Sequence, residues 1–139
     1  MRPDRILVGE VRGEEVIDML AAMSTGHDGS LSTGHANSPE SMLSRLESMA
    51  IAGSDYPADV VRRQITHAID VMVHLARDGA GHRRVMEIAE LGQLEGNQIP
   101  LNVIYRYEGK DGLVYTGNPM KRTEKARLRS VEFCYGSEK

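Results

Sequence analysis

The 139-residue chain has few or none of the residue types and sequence features that several classes of protein require. Its single cysteine, Cys134, excludes an internal disulfide. It has no tryptophan and one phenylalanine, so it shows no platform on which single-stranded nucleic acid could stack. It also has no apolar run of membrane-spanning length and no secretory signal pattern in its first residues. A cytoplasmic location is therefore expected.

The charge balance is close to that of an ordinary soluble globular protein. Hydrophobic residues make up 40% of the chain and charged residues 27%, with a formal net charge of -3. A dedicated nucleic-acid binder is usually basic, so no direct nucleic-acid partner is expected. The length is about that of one domain, and it is sufficient to bury a real core. We therefore predict a single globular unit.

Strand and helix signals alternate over the first half of the chain. The run "ILV" is short, apolar and β-favouring and predicts a buried strand of a parallel sheet, and "SLST" predicts a second short strand. Between them, "GEEVIDMLAAMS" has apolar residues at helical spacing. A second helix is predicted to begin after the capping residue Ser38, with Pro39 at its first position, and to end at Gly53. We expect this helix to bury Met42, Leu46 and Met49.

The second half of the chain changes from this alternation to a meander. A third helix is predicted in "YPADVVRRQITHAID", with one apolar stripe of Val60, Val61, Ile65 and Ile69, and "VMVHLAR" reads as a strand. From residue 79, alternating runs are broken by the turn signals "DGAG", "EGN" and "GKDG", as in antiparallel hairpins. The predicted organisation is one domain of residues 1–139, with an α/β part over 1–78 and a meander with a charged tail over 79–139.

Two chemically capable side chains follow the two predicted strands. Glu10 comes after "ILVG" and His35 after "SLSTG", and in open α/β sheets ligands sit at the carboxyl ends of strands. If the strands are neighbours, a carboxylate that can orient a water faces an imidazole that can donate to a phosphate. The residues alone leave simpler roles open: Glu10 could favour the N-terminus of the next helix, and His35 could hydrogen-bond a turn.

Two further patterns have both a functional and a simpler interpretation. His27, His35 and Glu10 are ligand types that zinc uses, but two histidines eight residues apart without an HExxH motif or partnered cysteines argue against a zinc site. A basic cluster near the C-terminus is most simply a solvated face, with an anionic partner as the alternative. It comprises Lys121, Arg122, Lys125, Arg127 and Arg129.

Residues 2–50 carry a specific resemblance. The run "RPDRILVGEVRGEEVIDMLAAMSTGHDGSLSTGHANSPESMLSRLESM" resembles the second half of the nucleotide-binding domain of secretion and pilus motor ATPases, the family behind type II and type IV secretion and type IV pili. Within it, the chain is most similar to the CpaF-like branch that assembles tight-adherence (Flp) pili. The resemblance weakens through "RRQITHAIDVMVHLAR" and "RRVMEIAEL" and further in the tail.

The resemblance implies a role for each residue of the candidate site. "RILVGEVRG" is similar to the family's Walker B segment, with Glu10 in the place of its catalytic glutamate. "TGHDGSLSTGHANSP" is similar to its histidine box, with His35 in the place of the histidine that senses the γ-phosphate. His27 matches the earlier TGH element, and Arg12 and Thr33 are taken as supporting residues. The cofactors implied are ATP and Mg²⁺, with Glu10 acting on the magnesium through its water shell.

The same resemblance implies a fold and a setting. The expected fold is the C-terminal half of a RecA-like P-loop ATPase domain, followed by an antiparallel β meander. Family members form hexameric rings that drive membrane-embedded partners, so the implied partners are further copies of the chain and a secretion or pilus platform protein. The implied location is the cytoplasm, peripheral to the inner face of the bacterial cell membrane.

One element of the family pattern is missing. A phosphate-cradling loop reads GxxxxGK[ST], and no such run occurs in the 139 residues. We therefore expect a C-terminal fragment that is inactive as an ATPase by itself. The alternative is a non-catalytic module that binds motor subunits or their partners without hydrolysis.

Overall fold

The computed structural model describes residues 3–135, which fall into two compact units. Unit 1 comprises the residues up to 69 together with 92–100, and unit 2 comprises 70–91 and the residues from 101 onward. The predicted organisation of one partial ATPase domain, with a change of character at residue 79, stays a prediction.

Unit 1 contains a short parallel pair of strands, β1 (Leu7–Val8) and β2 (Leu31–Ser32), joined by helix α1 (Val16–Ser24). The predicted parallel pairing is confirmed, with Leu7 opposite Leu31. The burial predicted for the first strand is wrong for Leu7, which is 73% exposed, and Leu31 opposite it is 66% exposed. This exposure shows that, among residues 3–135, no other element covers the face of the sheet on which these side chains lie.

Helix α2 (Pro39–Ala52) begins and ends where its local signals predict. The backbone N–H of Ser41 donates to Oγ of the capping Ser38 at 3.1 Å, and Gly53 follows the last turn. The predicted burial is confirmed for one of three residues, Leu46, and wrong for Met42 and Met49, which are half-buried. The buried stripe is rotated by one position and runs through Pro39, Leu43, Leu46 and Ala50.

The core of unit 1 lies between α1, α2 and α3 (Ala58–Ala68). Val61 and Ile65 of α3 are fully buried, as predicted. Val60 and Ile69 are only half-buried, because Val60 lies at the margin of the stripe and Ile69 follows the helical end. Other fully buried side chains of unit 1 are Val11, Val16, Leu20 and Leu46.

Unit 2 is an antiparallel meander of four strands in the order β3-β4-β5-β6, which confirms the predicted hairpins. "VMVHLAR", which the sequence grouped with the α/β part, forms its first strand, because it pairs with the strand that follows it. A 3₁₀ turn (Gly109–Asp111) connects the last two strands, and helix α4 (Glu124–Leu128) follows. The strands are β3 (Val71–Arg77), β4 (Arg83–Leu91), β5 (Leu101–Tyr107) and β6 (Leu113–Tyr115).

A buried carboxylate organises unit 2. Glu90 is 1% exposed, and its oxygens accept hydrogen bonds from the backbone N–H groups of Lys121 and Arg122 and from Nδ2 of Asn102, at 2.6–3.1 Å. Neutral donors thus satisfy a charge that would be costly to bury alone. This contact fixes the chain after β6 against the sheet.

The longest helix, α2, has 14 residues. In the described range 3–135, no helix is long and apolar enough to cross a membrane.

Candidate functional site

The parallel pairing of β1 and β2 brings the two predicted chemical groups together. Both strands end at the same edge, and the N–H of Val11 donates to the carbonyl of Thr33 at 3.0 Å just beyond them. Nε2 of His35 then lies 2.7 Å from Oε1 of Glu10. The imidazole is largely solvent-exposed, whereas the Glu10 side chain is 21% exposed. The arrangement is an exposed histidine over a partly shielded carboxylate.

The second oxygen of Glu10 is held by an arginine. Nε and Nη2 of Arg12 lie 2.6 and 2.5 Å from Oε2, so both nitrogens of the guanidinium group share this one carboxylate oxygen. The hydrogen bond from Arg12 is the largest influence that lowers the pKa of Glu10, and the charges of Arg12, His35 and Arg45 lower it further. Glu10 is therefore ionised at neutral pH.

The first oxygen of Glu10 is different. Oε1 is buried and, although it is close to His35, accepts no directed hydrogen bond from the described residues. The contact with the imidazole is therefore an electrostatic proximity. An ionised oxygen with an unused lone pair can still accept a hydrogen bond from a water or another donor.

A second glutamate holds the loop that carries Arg12. Oε1 of Glu15 accepts hydrogen bonds from the backbone N–H groups of Arg12 at 2.6 Å and Gly13 at 3.1 Å, which lowers the pKa of Glu15. In the sequence, this acid reads simply as a favourable charge at the start of α1. The sequence analysis missed this positioning contact. The available signal is the place of Glu15, three residues after Arg12 and two after Gly13, where a side chain can bind the backbone of a turn.

Two residues fix the backbone on either side of the site. Oγ1 of Thr33 donates to the carbonyl of Gly9 at 2.5 Å, which ties together the strand ends that carry His35 and Glu10. Gly34 lies so close to α2 that a Cβ atom there would collide with Cε of Met42. Because this atom is the end of a flexible side chain, Met42 can move aside for a small residue at position 34.

Arg45 is a member of this cluster that the sequence analysis missed. Its Nη1 donates to the backbone carbonyl of His35 at 3.0 Å, and its charge contributes to the lowered pKa of Glu10. The side chains of Ser41 and Arg45 line a shallow open depression with His35, Ala36 and Asn37. The available signal is the spacing of Ser38, Ser41 and Arg45, which places these three residues on one face of the helix.

His27 stands apart from this cluster. Its Nδ1 lies 3.1 Å from the carbonyl of Ala22 and 3.3 Å from Oγ1 of Thr25, both at the end of α1. Within the described range, the polar contacts of its side chain are with these residues and not with Glu10 or His35. The structure therefore brings Glu10, Arg12, Thr33 and His35 together, and gives His27 a local place at the helix end.

The donor set does not make a protein cage for a metal ion. No group of three or more histidine, cysteine, aspartate or glutamate side chains is placed to hold one in the part of the chain that the structure describes. A single carboxylate with one unused oxygen fits a role in the outer shell of Mg²⁺, which keeps several of its waters when it binds phosphates.

The arrangement can perform two chemical tasks. The ionised Glu10 can orient a water through Oε1 while Arg12 keeps its other oxygen in place. The exposed imidazole of His35 can donate a hydrogen bond to an anionic group that approaches from solvent. Both tasks serve a reaction in which water attacks a charged phosphoryl group.

Comparison with known proteins shows which family the chain resembles. A family model described as type II/IV secretion system protein matches residues 1–123. A Mycobacterium tuberculosis H37Rv protein with the provisional name of conjugal transfer protein is 53% identical over 97 residues, which are 69% of this chain and 27% of that protein. The conjugal transfer protein TrbB of Rhizobium radiobacter is 38% identical over 97 residues, covering 70% of this chain and 29% of the relative. The chain thus spans about a quarter of the length of these relatives.

A solved structure supports the fold. The crystal structure of the VirB11 ATPase from the Brucella suis type IV secretion system, in complex with sulphate, matches with a TM-score of 0.60 and 35% identity. The match covers 65% of this chain and 28% of that one. It confirms the predicted fold class, a C-terminal part of a RecA-like ATPase domain with an antiparallel four-stranded sheet. Together with the family model, it shows that the chain belongs to the type II/IV secretion system ATPase family.

Proposed function

We propose that the chain is the C-terminal part of a motor ATPase of the CpaF-like branch, which uses ATP hydrolysis to power Flp-type pilus assembly or a related secretion step. The observation that carries this proposal is the 2.7 Å approach of His35 to Glu10 at the edge of the parallel strand pair. Each belongs to a segment that resembles a family element, the Walker B segment for Glu10 and the histidine box for His35. The family membership and the relatives' names support the secretion role.

In this proposal, Glu10 directs the attacking water. A general base works best when its pKa is near the working pH, but the pKa of Glu10 is lowered. Glu10 therefore acts mainly by orienting the water and by its negative charge. Arg12 holds Oε2, so Oε1, which His35 covers at 2.7 Å, is the oxygen that orients the water once the imidazole has turned to the phosphate.

His35 is the proposed sensor of the γ-phosphate. Its ring is exposed, so it can reach a phosphate that is bound next to the site. Its backbone carbonyl is fixed to α2 through Arg45, and Thr33 ties its strand end to that of Glu10. A movement of His35 on loss of the phosphate is therefore transmitted to α2.

ATP and Mg²⁺ complete the proposed site. A bound magnesium ion would neutralise the phosphate charge, and Glu10 is the residue that would act on it, through its water shell. Because the 139 residues contain no GxxxxGK[ST] run, the phosphate cradle comes from residues outside this sequence. The assembly proposed for the whole protein is a hexamer that works in the cytoplasm against an inner-membrane platform protein.

The test is a chimera in which the chain is fused behind the P-loop half of a related secretion ATPase. We expect turnover in the chimera and none above background in the unfused chain, because positioning supplies most of phosphoryl-transfer catalysis. Glu10→Gln should remove phosphate release and leave ATP affinity nearly unchanged. The matched control is Glu14→Gln, an exposed glutamate four residues away.

The histidine is tested in the same chimera. His35→Ala should slow phosphate release and weaken the discrimination between ATP and ADP, whereas His74→Ala, in unit 2, should do neither. Normal turnover in the Glu10→Gln chimera would overturn the site. A chimera that binds motor subunits but never hydrolyses ATP would favour the non-catalytic module.

A further inference from the structure

The chain that follows β6, residues 120–135, forms an anchored surface segment, which we call the C-terminal segment. At its start, the N–H of Met120 donates to the hydroxyl of Tyr135 at 2.8 Å, and Glu90 binds the next two backbone N–H groups. At its end, the Tyr135 ring stacks on Tyr115 of β6, with centroids 4.9 Å apart. Both ends are therefore fixed to the sheet of unit 2.

A tight turn between these anchors redirects the chain. After α4, the N–H of Val131 donates to the carbonyl of Ala126 and that of Ser130 to Arg127, the pair of bonds that ends many helices. Ser130 adopts the left-handed conformation that this turn requires, with φ 55°. The turn brings residues 128–133 to the surface as a defined loop.

Three apolar side chains project from this loop into solvent. Leu128 is 87% exposed, Val131 52% and Phe133 42%. Phe133 also lies beside the ring of Tyr135, with centroids 6.4 Å apart, so its position is supported from the anchored end. Isolated exposed apolar residues are common, but three within six residues of one anchored loop form a patch.

Basic side chains precede and adjoin this patch in the sequence. The C-terminal segment carries five basic groups and two acidic groups, Glu124 and Glu132, in a chain whose net charge is -3, so the segment is a positive region of an acidic protein. Asp70 pairs with Arg122 at 3.1 Å and with Lys125 at 3.7 Å, while Lys121 and Arg127 are exposed. The long stems of Lys and Arg allow their charged ends to reach outward from an apolar surface.

We propose that the C-terminal segment is a contact site for an anionic lipid bilayer. Leu128, Val131 and Phe133 would enter the boundary between headgroups and acyl chains, and the basic groups would contact the lipid phosphates. Charge complementarity selects this occupant, because the patch combines exposed apolar groups with a local positive charge in an acidic protein. The inference rests on the proposed function only for its membrane setting.

A bilayer fits this surface better than a nucleic acid does. A nucleic-acid site would use basic residues with stacking aromatics, and the only aromatic ring that projects from this loop is Phe133. The most exposed apolar residue, Leu128, has no role in stacking on bases. An aliphatic side chain next to cations instead gains free energy by entering the acyl region.

The experiment measures binding of the whole 139-residue chain to vesicles by co-sedimentation. Vesicles of phosphatidylglycerol with phosphatidylethanolamine are compared with vesicles of phosphatidylcholine alone, at low and high salt. We expect binding to the anionic vesicles that weakens as salt screens the charges, and little binding to phosphatidylcholine. Equal binding to both vesicle types would overturn the proposal.

Two variants separate the apolar and the charged contributions. Leu128→Ser should lower the partition coefficient by about tenfold, from the loss of one buried aliphatic side chain. Lys121→Gln with Arg127→Gln should lower it by about 25-fold, at about fivefold for each basic residue near the surface. The matched controls are Leu75→Ser, at an exposed leucine of β3, and Arg83→Gln, at an exposed arginine of β4. Controls that reduce binding as much as the variants would contradict the assignment.

Two further readouts keep the outcome specific. A duplex DNA oligonucleotide that binds the chain through Lys121 and Arg127 while vesicles do not would identify a nucleic-acid surface and overturn the lipid proposal. Circular dichroism of the Leu128→Ser chain shows whether it remains folded. The same substitution in the chimera should leave phosphate release unchanged, so failure of the lipid contact and failure of the ATPase assignment give different results.

Discussion

The two sheets of this molecule differ in strand length, in the number of strands that pair and in the way these strands are connected. The pair β1–β2 in unit 1 has two residues per strand and leaves Leu7 and Leu31 exposed. The sheet of unit 2 has antiparallel neighbours that are also neighbours in sequence, and strands of up to nine residues. Antiparallel strands need only hairpins, whereas parallel strands need crossover connections, whose helices cover the faces of the sheet. Local connectivity therefore allows unit 2 to complete its sheet within this sequence.

The two organising carboxylates show the same contrast in chemical terms. Glu90 is buried, and both of its oxygens accept hydrogen bonds from neutral donors. Glu10 faces the guanidinium group of Arg12 and the imidazole of His35, and one of its oxygens accepts no hydrogen bond from the described residues. A saturated carboxylate fixes structure, whereas one with an unused oxygen is available for chemistry. The comparison separates a structural glutamate from a candidate catalytic one.

The largest expected effect comes from breaking the Glu90 contact. Glu90→Ala should reduce the free energy of unfolding by about 3 kcal/mol, because it leaves part-buried backbone donors without an acceptor. Urea unfolding followed by circular dichroism measures the loss. Glu108→Ala, at an exposed glutamate of the same unit, should change stability by less than about 0.5 kcal/mol. Equal losses in the two variants would mean that Glu90 does not organise unit 2.

The next effect tests how the short parallel pair is held. Thr33→Val keeps the shape of the side chain and removes the hydrogen bond from Oγ1 to the carbonyl of Gly9, which should cost about 1 kcal/mol. Hydrogen exchange at the N–H of Val11, which donates to Thr33, should accelerate. Thr33→Ser retains the hydroxyl and serves as the control. Unchanged exchange in the valine variant would show that the strand ends are held by backbone pairing alone.

A smaller effect is expected at the turn that ends α4. Ser130 has φ 55°, a conformation that costs an L-residue more than glycine. Ser130→Gly should stabilise the turn by about 0.5 kcal/mol after the entropic cost of glycine. Ser130→Ala keeps the steric penalty and should give no gain. The midpoint of thermal unfolding measures both, and a gain in the alanine variant would contradict the conformational explanation.

The smallest effect concerns the response of Glu10 to pH. Its pKa is lowered from 4.5, mainly by the hydrogen bond from Arg12, so its ionised form is favoured by folding. The resulting stabilisation is present above about pH 4.5 and is lost as the pH falls through the lower pKa of the folded state. Carbon-13 titration of the Glu10 carboxyl should show the lowered pKa.

The arginine provides the control for this titration. Arg12→Ala should raise the pKa of Glu10 toward 4.5, because it removes the largest influence that lowers it. Arg77→Ala, in unit 2, should leave the titration curve in place. A curve that does not move in the Arg12 variant would assign the lowered pKa to other neighbours.

The sequence predicts best the features that depend on local signals. Ser38, Pro39 and Gly53 fix the ends of α2 because capping and helix termination involve residues within a turn of one another. The approach of Glu10 to His35 could also be predicted, since parallel strands end at the same edge of a sheet. Both predictions require only the spacing of neighbouring residues or the direction of two strands.

The features that the sequence could not predict depend on distant contacts. Glu90 finds its partners 31 and 32 positions later, and no local pattern marks that pairing. The exposure of Leu7 and Leu31 depends on what covers the short sheet, which an apolar run alone does not reveal. The rotation of the buried stripe of α2 by one position likewise depends on how the neighbouring helices pack.

The interleaving of the two units along the chain has a consequence for synthesis. Residues 92–100, which belong to unit 1, lie between β4 and β5 of unit 2. As the polypeptide leaves the ribosome, β3 and β4 emerge before unit 1 has its last piece, and the partners of Glu90 emerge about 30 residues later still. Neither unit can therefore be finished before the other has begun. A ribosome that pauses after residue 91 would hold a chain with both units incomplete.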